Sequence, residues 1–462
     1  MVNYSGLRKF FTLECLYHLS EPNAREADLR LRNKEPSLSQ SVILTKHKSV
    51  RMAHIIWLRN DLRIIDHDIF HHLQDQPIIP LYIFDPREHA SDAWGHSRLG
   101  KHRRRFLMEG LQALREELQS RGSDLCIRHG YPAEVIEQMH QQYTIEGIHV
   151  YGHDAYEERQ QEEAAKKLGI PFHLYEADTL YHPADLPFPI EKMPFVFTDF
   201  RKKMEKQSEV RPFHPTPKQF VKPEINLDWG DIPKVDYKID SRSAFPFRGG
   251  TRAALDRLEH YFWETDQLAQ YKNTRNGLLG TDYSSKFSPW LAQGAISARF
   301  IYHQVKKYES LRTKNQSTYW LIFELIWRDF FRFTAKSEGN RFFRIPREVK
   351  AMRIPAFELW KSGQTGEPFI DANMKELAAT GFMSNRGRQN VGSYLVHQLN
   401  VPWYAGAAWF ESQLIDYDVY SNWGNWTYVA GVGHDPRSRV FNISRQQSMY
   451  DPEGAYVEVW GK

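Results

Sequence analysis

The stretch KHRRRFLMEGLQALREELQSRGSDLCIR, residues 101–128, changes its hydrophobic period partway along. Phe106, Gly110, Leu111, Leu114 and Leu118 fall on one stripe of a helix read over 99–121, and Gly122 supplies the stop. The next apolar run, DLCIR (124–128), is short and continuous, as a buried strand is. Runs of the same kind recur at HIIWL (54–58), IIPLYIF (78–84), GIHVY (147–151) and PFHLY (171–175), with helical periods between them. Strands that alternate with helices at this spacing predict a parallel sheet covered by helices on both faces.

At 462 residues the chain is long enough for two or three domains. Residues 52–180 are expected to form the α/β domain. Residues 181–245, rich in proline and charge, read as a connector draped over the surface. From 246 to 462 the periods become helical, at 251–270, 295–308, 317–335, 371–380, 386–399 and 405–415. Ten of the thirteen tryptophans lie in 261–462. Most are expected in the core, although a flat cofactor or stacked bases would want the same walls. Residues 1–51 read as a flexible extension or an over-called start. They lack a secretory apolar region, and their five acids argue against a transit peptide.

No run approaches eighteen apolar residues, so no membrane span is expected. Cys15 and Cys126 give neither a disulfide framework nor a metal motif. The formal charge of +4 is unevenly spread: +4 over 1–51 (nine basic, five acidic), −6 over 52–245 (25 against 31) and +6 over 246–462 (27 against 21). The basic half is the one able to approach phosphate. GHSRLGKH (95–102) mimics a phosphate loop, but His102 replaces the hydroxyl residue that would hold magnesium.

Four stretches carry chemistry. In TDYSSKFSPWLAQG (281–294) the hydroxyls of Ser284, Ser285 and Ser288, with Lys286 and Phe287, lie just ahead of a helix. They suit a diphosphate, or simply a cap and a turn. In ELIWRDF (324–330) helical spacing sets Glu324, Trp327 and Arg328 on one face, with Phe331 one turn on. That face suits a base and a phosphate, or an ordinary amphipathic helix. TGFMSNRGRQNVGSYLV (380–396) places Asn385, Arg386, Arg388 and Gln389 at a helix start. DYDVYSNWGNWTYVAGVGHDPR (416–437) brings Asp416, Asp418, Asn422 and Trp426, and Arg388 is a natural partner for Asp416.

Together with WLRNDLRIIDH (57–67) and the tail YDPEGAYVEVW (450–460), these stretches resemble the photolyase/cryptochrome family, specifically its DASH branch. The resemblance runs from about Met52 to the C-terminus and rests on the order and spacing of the motifs. It implies a Rossmann-like α/β antenna domain followed by a large helical domain that binds FAD. Tyr271 and Ser284, Ser285, Lys286, Phe287 and Ser288 would then hold the phosphates, with Arg328 nearby. Arg388 and Asp416 would pair beside the isoalloxazine, Asp418 would contact the ring system, and Asn422 would face its N5.

The family also implies a pocket for a flipped pyrimidine dimer. Glu324, Trp327, Asn385, Arg386, Gln389 and Tyr428 would line it, with Arg275 near the DNA backbone. Light would excite reduced FAD, an electron would pass to the dimer, and the cyclobutane bonds would open. Gln389 and Tyr428 stand where standard photolyases have Met and Trp, which weakens the grip on a dimer drawn from duplex. Single-stranded DNA is therefore the expected partner. Trp426 and Trp403 match an electron relay to FAD, but no tryptophan lies between Trp327 and Trp360. Trp360 is then the candidate exit, unless a tyrosine serves. Glu158 resembles the acid that holds the pterin of a 5,10-methenyltetrahydrofolate antenna. A monomer in the cytoplasm is expected, or in an organelle if residues 1–51 act as a transit peptide. The alternative functions are a blue-light photoreceptor with little repair, or a nucleic-acid scaffold without flavin.

Overall fold

The computed structural model describes residues 52–176, 178–345, 354–434 and 439–462. The readings made for residues 1–51 lie outside the described residues. Five strands form the sheet: β1 (Met52–Leu58), β2 (Ile78–Phe84), β3 (Cys126–His129), β4 (Thr144–Tyr151) and β5 (Phe172–Tyr175). Their order is β3-β2-β1-β4-β5, and every neighbouring pair is parallel. The chain reverses its direction of progress between β1 and β4, so the loops after those strands diverge and leave a crevice at their carboxyl ends.

Alternation within each strand divides the core in two. Ile56, Leu58, Tyr82 and Phe84 pack with Leu111, Leu114 and Leu118 of α1 (Lys101–Ser120). Ile55, Trp57, Ile79, Leu81 and Ile83 pack on the other face against Val135, Ile136 and Met139 of α2 (Pro132–Gln142) and Ala165 of α3 (Tyr156–Lys166). The stripe read for α1 is observed, with one refinement. Phe106 faces away from the sheet, into the core of the helical domain.

The segment 181–245 carries more structure than a draped connector. It contains α4 (Phe197–Gln207), whose Phe197, Phe200 and Met204 are buried in the helical core. Further on, Val221 returns to the sheet, where its carbonyl accepts from Ile78 N at 3.1 Å. Beyond it lie α5 (Thr251–Glu259), α6 (Ala298–Leu311), α7 (Gln316–Glu338), α8 (Pro368–Thr380), α9 (Asn385–Ser393), α10 (Trp403–Gln413) and α11 (Val419–Val429). None of the described helices is long and apolar enough to cross a membrane.

Two features lock the α/β and helical domains together. Gly294 adopts φ +72°, and a Cβ there would sit 2.0 Å from the carbonyl oxygen of Asn60, so only glycine permits the approach. Beside it, Asp66 is almost fully buried and accepts from Arg299 Nε at 3.0 Å, from Ser297 Oγ, and from His214 N at 3.0 Å. Arg299→Met strands that carboxylate and is expected to cost about 3–5 kcal/mol, read as a lower unfolding midpoint. Adding Asp66→Asn, an amide that tolerates the left-handed backbone at φ 51°, should recover much of the loss. Simple additivity of the two effects would contradict this account.

Candidate flavin and nucleic-acid site

Two cavities in the helical domain share a wall. The larger, about 1120 Å³, is lined by Tyr271, Arg275, Ser284, Ser285, Lys286, Phe287, Ser288, Glu324 and Arg328. The smaller, about 610 Å³, is lined by Gln389, Phe410, Leu414, Asn422, Trp426 and Val429. Asn385, Arg388, Asp416, Asp418 and Ser421 border both. One end is thus rich in hydroxyls and the other is a slot between apolar and aromatic side chains, a pairing that suits a ligand with a polar chain and a flat head.

Asp416 fixes the shared wall. Arg388 Nη2 donates to both of its carboxylate oxygens, at 3.0 and 2.8 Å, and Ser288 Oγ donates to one of them at 2.6 Å. The pairing of Arg388 with Asp416 expected from the sequence is therefore observed. Asp418 caps α11 by accepting from Ser421 N at 2.7 Å. One turn on, Asn422 Nδ2 donates to Ala407 O at 3.1 Å.

The Ser284–Ser288 loop owes its shape to Arg257, which sequence reading missed because α5 shows no motif. Its buried guanidinium donates to the carbonyls of Ser285 (3.0 Å), Thr281 (3.1 Å) and Ser284 (2.9 Å), and it pairs with Asp282 at 2.7 Å. With the carbonyls turned onto one cation, the opposite side of the loop is free for its donors. Lys286 holds a left-handed φ of 57°. Its ammonium lies 3.5 Å from the centre of the Tyr283 ring. Burial lowers that ammonium to about 7.

Arg275 and Glu324 were read apart and are found together, with Nη1 2.6 Å from Oε1. Arg275 is therefore paired with Glu324 while 22% of its side chain stays exposed. Burial raises the Glu324 carboxyl above its ordinary range, while Arg275 opposes the rise. Arg328 pairs with Asp178 at 2.7 Å, an acid in the loop after β5 that no period signals. Arg63 and Arg332 approach the same carboxylate at 3.7 Å. Asp329, whose carboxyl burial raises to about 7, accepts from Leu180 N and Tyr181 N at 2.9 Å.

Trp327, Arg386 and Tyr428 are not among the lining residues of either cavity. Trp327 has one face covered by Phe197, with ring centres 3.6 Å apart and 10° between planes. Tyr428 meets Trp327 edge-on at 5.5 Å. Arg386 Nη1 donates to Gln389 Oε1 at 2.9 Å and lies over Tyr450.

The relay reading needs correction. Trp360 is fully buried among Phe357, Phe410 and Trp426, and its indole N–H is spent on Val391 O at 3.0 Å, so it is no surface exit. Trp403 touches Tyr404 at 5.8 Å and Trp423 at 5.3 Å. Trp423 is half-buried.

Glu158 lines a third cavity, of about 1000 Å³, in the crevice at the carboxyl ends of the strands. Arg59 and Asn60 follow β1 there, Arg87 and Glu88 follow β2, and Arg103, Gln293 and Tyr417 close it.

A family model described as the FAD binding domain of DNA photolyase matches residues 320–461, and a DNA photolyase model matches residues 54–221. The Cryptochrome DASH of Gloeobacter violaceus is 48% identical over 427 residues, 88% of this chain and 85% of that protein. The chain belongs to the photolyase/cryptochrome family, among its DASH cryptochromes. A solved Synechocystis cryptochrome is 46% identical with a TM-score of 0.85, covering 89% of both chains. An archaeal photolyase from Sulfolobus tokodaii, solved with two FAD molecules, is 28% identical with a TM-score of 0.71, covering 88% of this chain and 90% of its own. The DASH-type α/β and helical architecture and the FAD-binding domain, both read from the sequence, thus stand.

Under the shared wall, Glu376 accepts from Tyr456 Oη at 2.6 Å, and burial raises its carboxyl from 4.5 to about 7. The folded protein keeps a proton there that the unfolded chain releases, so this contribution to stability fades as pH rises from 4.5 to about 7. Glu376→Gln should match wild type in thermal unfolding near pH 5 and exceed it near pH 8, both approximate values. Parallel pH profiles for the two proteins would contradict the assignment.

Proposed function

We propose that this DASH cryptochrome repairs cyclobutane pyrimidine dimers in single-stranded DNA, driven by blue light absorbed by FAD in the two joined cavities. One observation carries the reading. Glu324 and Asn385, groups able to hold a base edge, line the same cavity as the Ser284–Ser288 loop and the Arg388–Asp416 pair.

The donor set fits the dinucleotide. Hydroxyls of Ser284, Ser285 and Ser288 and the phenol of Tyr271 suit a diphosphate and its sugars, and the slot between Phe410, Leu414 and Trp426 suits a flat tricycle. Reduced FAD bound there would supply, on excitation, the electron that opens the cyclobutane ring and is then returned. The protein's own groups bind and orient. Asn422, with an amide hydrogen engaged by Ala407, offers its side-chain oxygen as an acceptor to the flat ligand. Glu324, whose carboxyl burial raises above its ordinary range, faces the same cavity and can hydrogen-bond a pyrimidine edge once Arg275 turns to a phosphate. Trp327, one face already on Phe197, has its other face for the dimer.

The single-strand preference follows from Gln389 and Tyr428. A polar side chain and a phenol ring grip a flipped dimer less strongly than a thioether and an indole. Extracting the dimer from duplex costs a few kcal/mol, and an unpaired strand removes most of that cost.

The crevice cavity fits a folate antenna such as 5,10-methenyltetrahydrofolate. Burial raises Glu158, and it raises Glu88 to about 7. Both suit the amide and amine hydrogens of a pterin. Buried Nη1 atoms of Arg59 and Arg103 have no protein partner and suit a carboxylate.

Glu324→Ala should keep stoichiometric FAD yet slow dimer loss from a single-stranded oligonucleotide by about tenfold, the scale of one lost hydrogen bond to the base edge. Loss of flavin would mean that Glu324 belongs to the FAD pocket instead. Glu158→Ala should abolish folate loading while FAD absorbance is unchanged; retained folate would sink the antenna assignment.

A further inference from the structure

Phe195 is the most exposed Phe, Tyr or Trp among the described residues, with 59% of its surface open. Single exposed apolar side chains are ordinary, but this ring is backed. The His434 imidazole stacks on it with centres 4.3 Å apart and 25° between planes. Both nitrogens of that imidazole face oxygen acceptors. Nδ1 lies 2.9 Å from Phe195 O, and Nε2 lies 2.5 Å from Glu338 Oε1. Anchored by hydrogen bonding on its far edge, the imidazole covers one face of Phe195, while 59% of the residue stays open.

The position of this pair gives it meaning. Two residues after Phe195, Phe197 stacks on Trp327. On the other side, His434 O accepts from Tyr428 Oη at 2.9 Å. The platform is thus tethered to both aromatic side chains assigned to the dimer pocket, and the guanidinium of Arg439 lies 5.8 Å from the Tyr428 ring.

We infer that Phe195, braced by His434, is a stacking platform for the unpaired nucleobase next to the flipped dimer. The inference rests on the reading of Trp327 and Tyr428 as walls of the dimer pocket. A lone ring with one free face suits a base because every base has a π-face, so stacking tolerates any sequence. It also selects for single strands. In duplex each base face is already covered by its neighbours, and wedging a ring between them requires unstacking.

The test uses the FAD-loaded protein and an undamaged single-stranded oligonucleotide carrying a fluorescent adenine analogue, with its duplex as control. Wild type should quench the analogue on binding. Phe195→Ala should bind the single strand about tenfold more weakly and lose the quenching, with duplex binding and FAD content unchanged. Phe195→Trp should restore both. Equal single-strand affinity and undiminished quenching in Phe195→Ala would overturn the platform. Dimer loss under light is scored separately on wild type. Quenched binding without dimer loss would fail the repair reading and leave the platform standing, whereas repair with an unaffected Phe195→Ala would fail the platform alone.

Discussion

The carboxylate of Asp416, with only 1% of its side chain exposed, is the point at which the site is assembled. It is met by Arg388 from α9 and by Ser288 from the loop before its short helix. A buried ion pair adds little net stability beside an apolar replacement, but breaking it leaves an unpaired charge out of water. The fold therefore cannot separate these segments cheaply. Ile415 N, donating to Gly381 O at 2.9 Å, pins the turn ahead of Asp416 to the end of α8. The two cavities share this wall, so whatever orients a ligand's polar chain also orients its flat head.

The architecture was legible because burial imposes a period. Helix α1 announces itself by its 3.6-residue stripe, β2 by seven consecutive buried residues, and both end at signals that glycine or a change of period supplies. Part of the site was legible in the same way: Asp416 and Arg388 are the charged groups that an otherwise apolar neighbourhood must pair. What stayed hidden arises from contacts distant in sequence. Asp178 reaches Arg328 from the loop after β5, and Phe197 reaches Trp327 from a proline-rich segment without any period. Arg257 shapes the Ser284–Ser285 turn through backbone carbonyls, which carry no residue signature. Trp360 could be counted in the sequence, but its depth could not.

The aromatic wealth of the helical domain divides by packing. Trp426 is seated over Gly406, where a Cβ would lie 2.2 Å from the indole, so the helices α10 and α11 meet closely at this ring. Trp360 and Phe410 close around it as ordinary core. Trp403, Tyr404 and Trp423 are half-buried and in ring contact with one another through Trp403.

The central claim is that one continuous site holds FAD and receives an extruded dimer from an unpaired strand. It is tested most directly by illuminating the reduced, FAD-loaded protein with matched dimer-containing oligonucleotides, single-stranded and duplex, and following dimer loss. The account predicts repair of the single strand and much slower repair of the duplex, in line with an extraction cost of a few kcal/mol. Bound flavin with no dimer loss from either substrate would contradict it and leave a blue-light receptor as the better description.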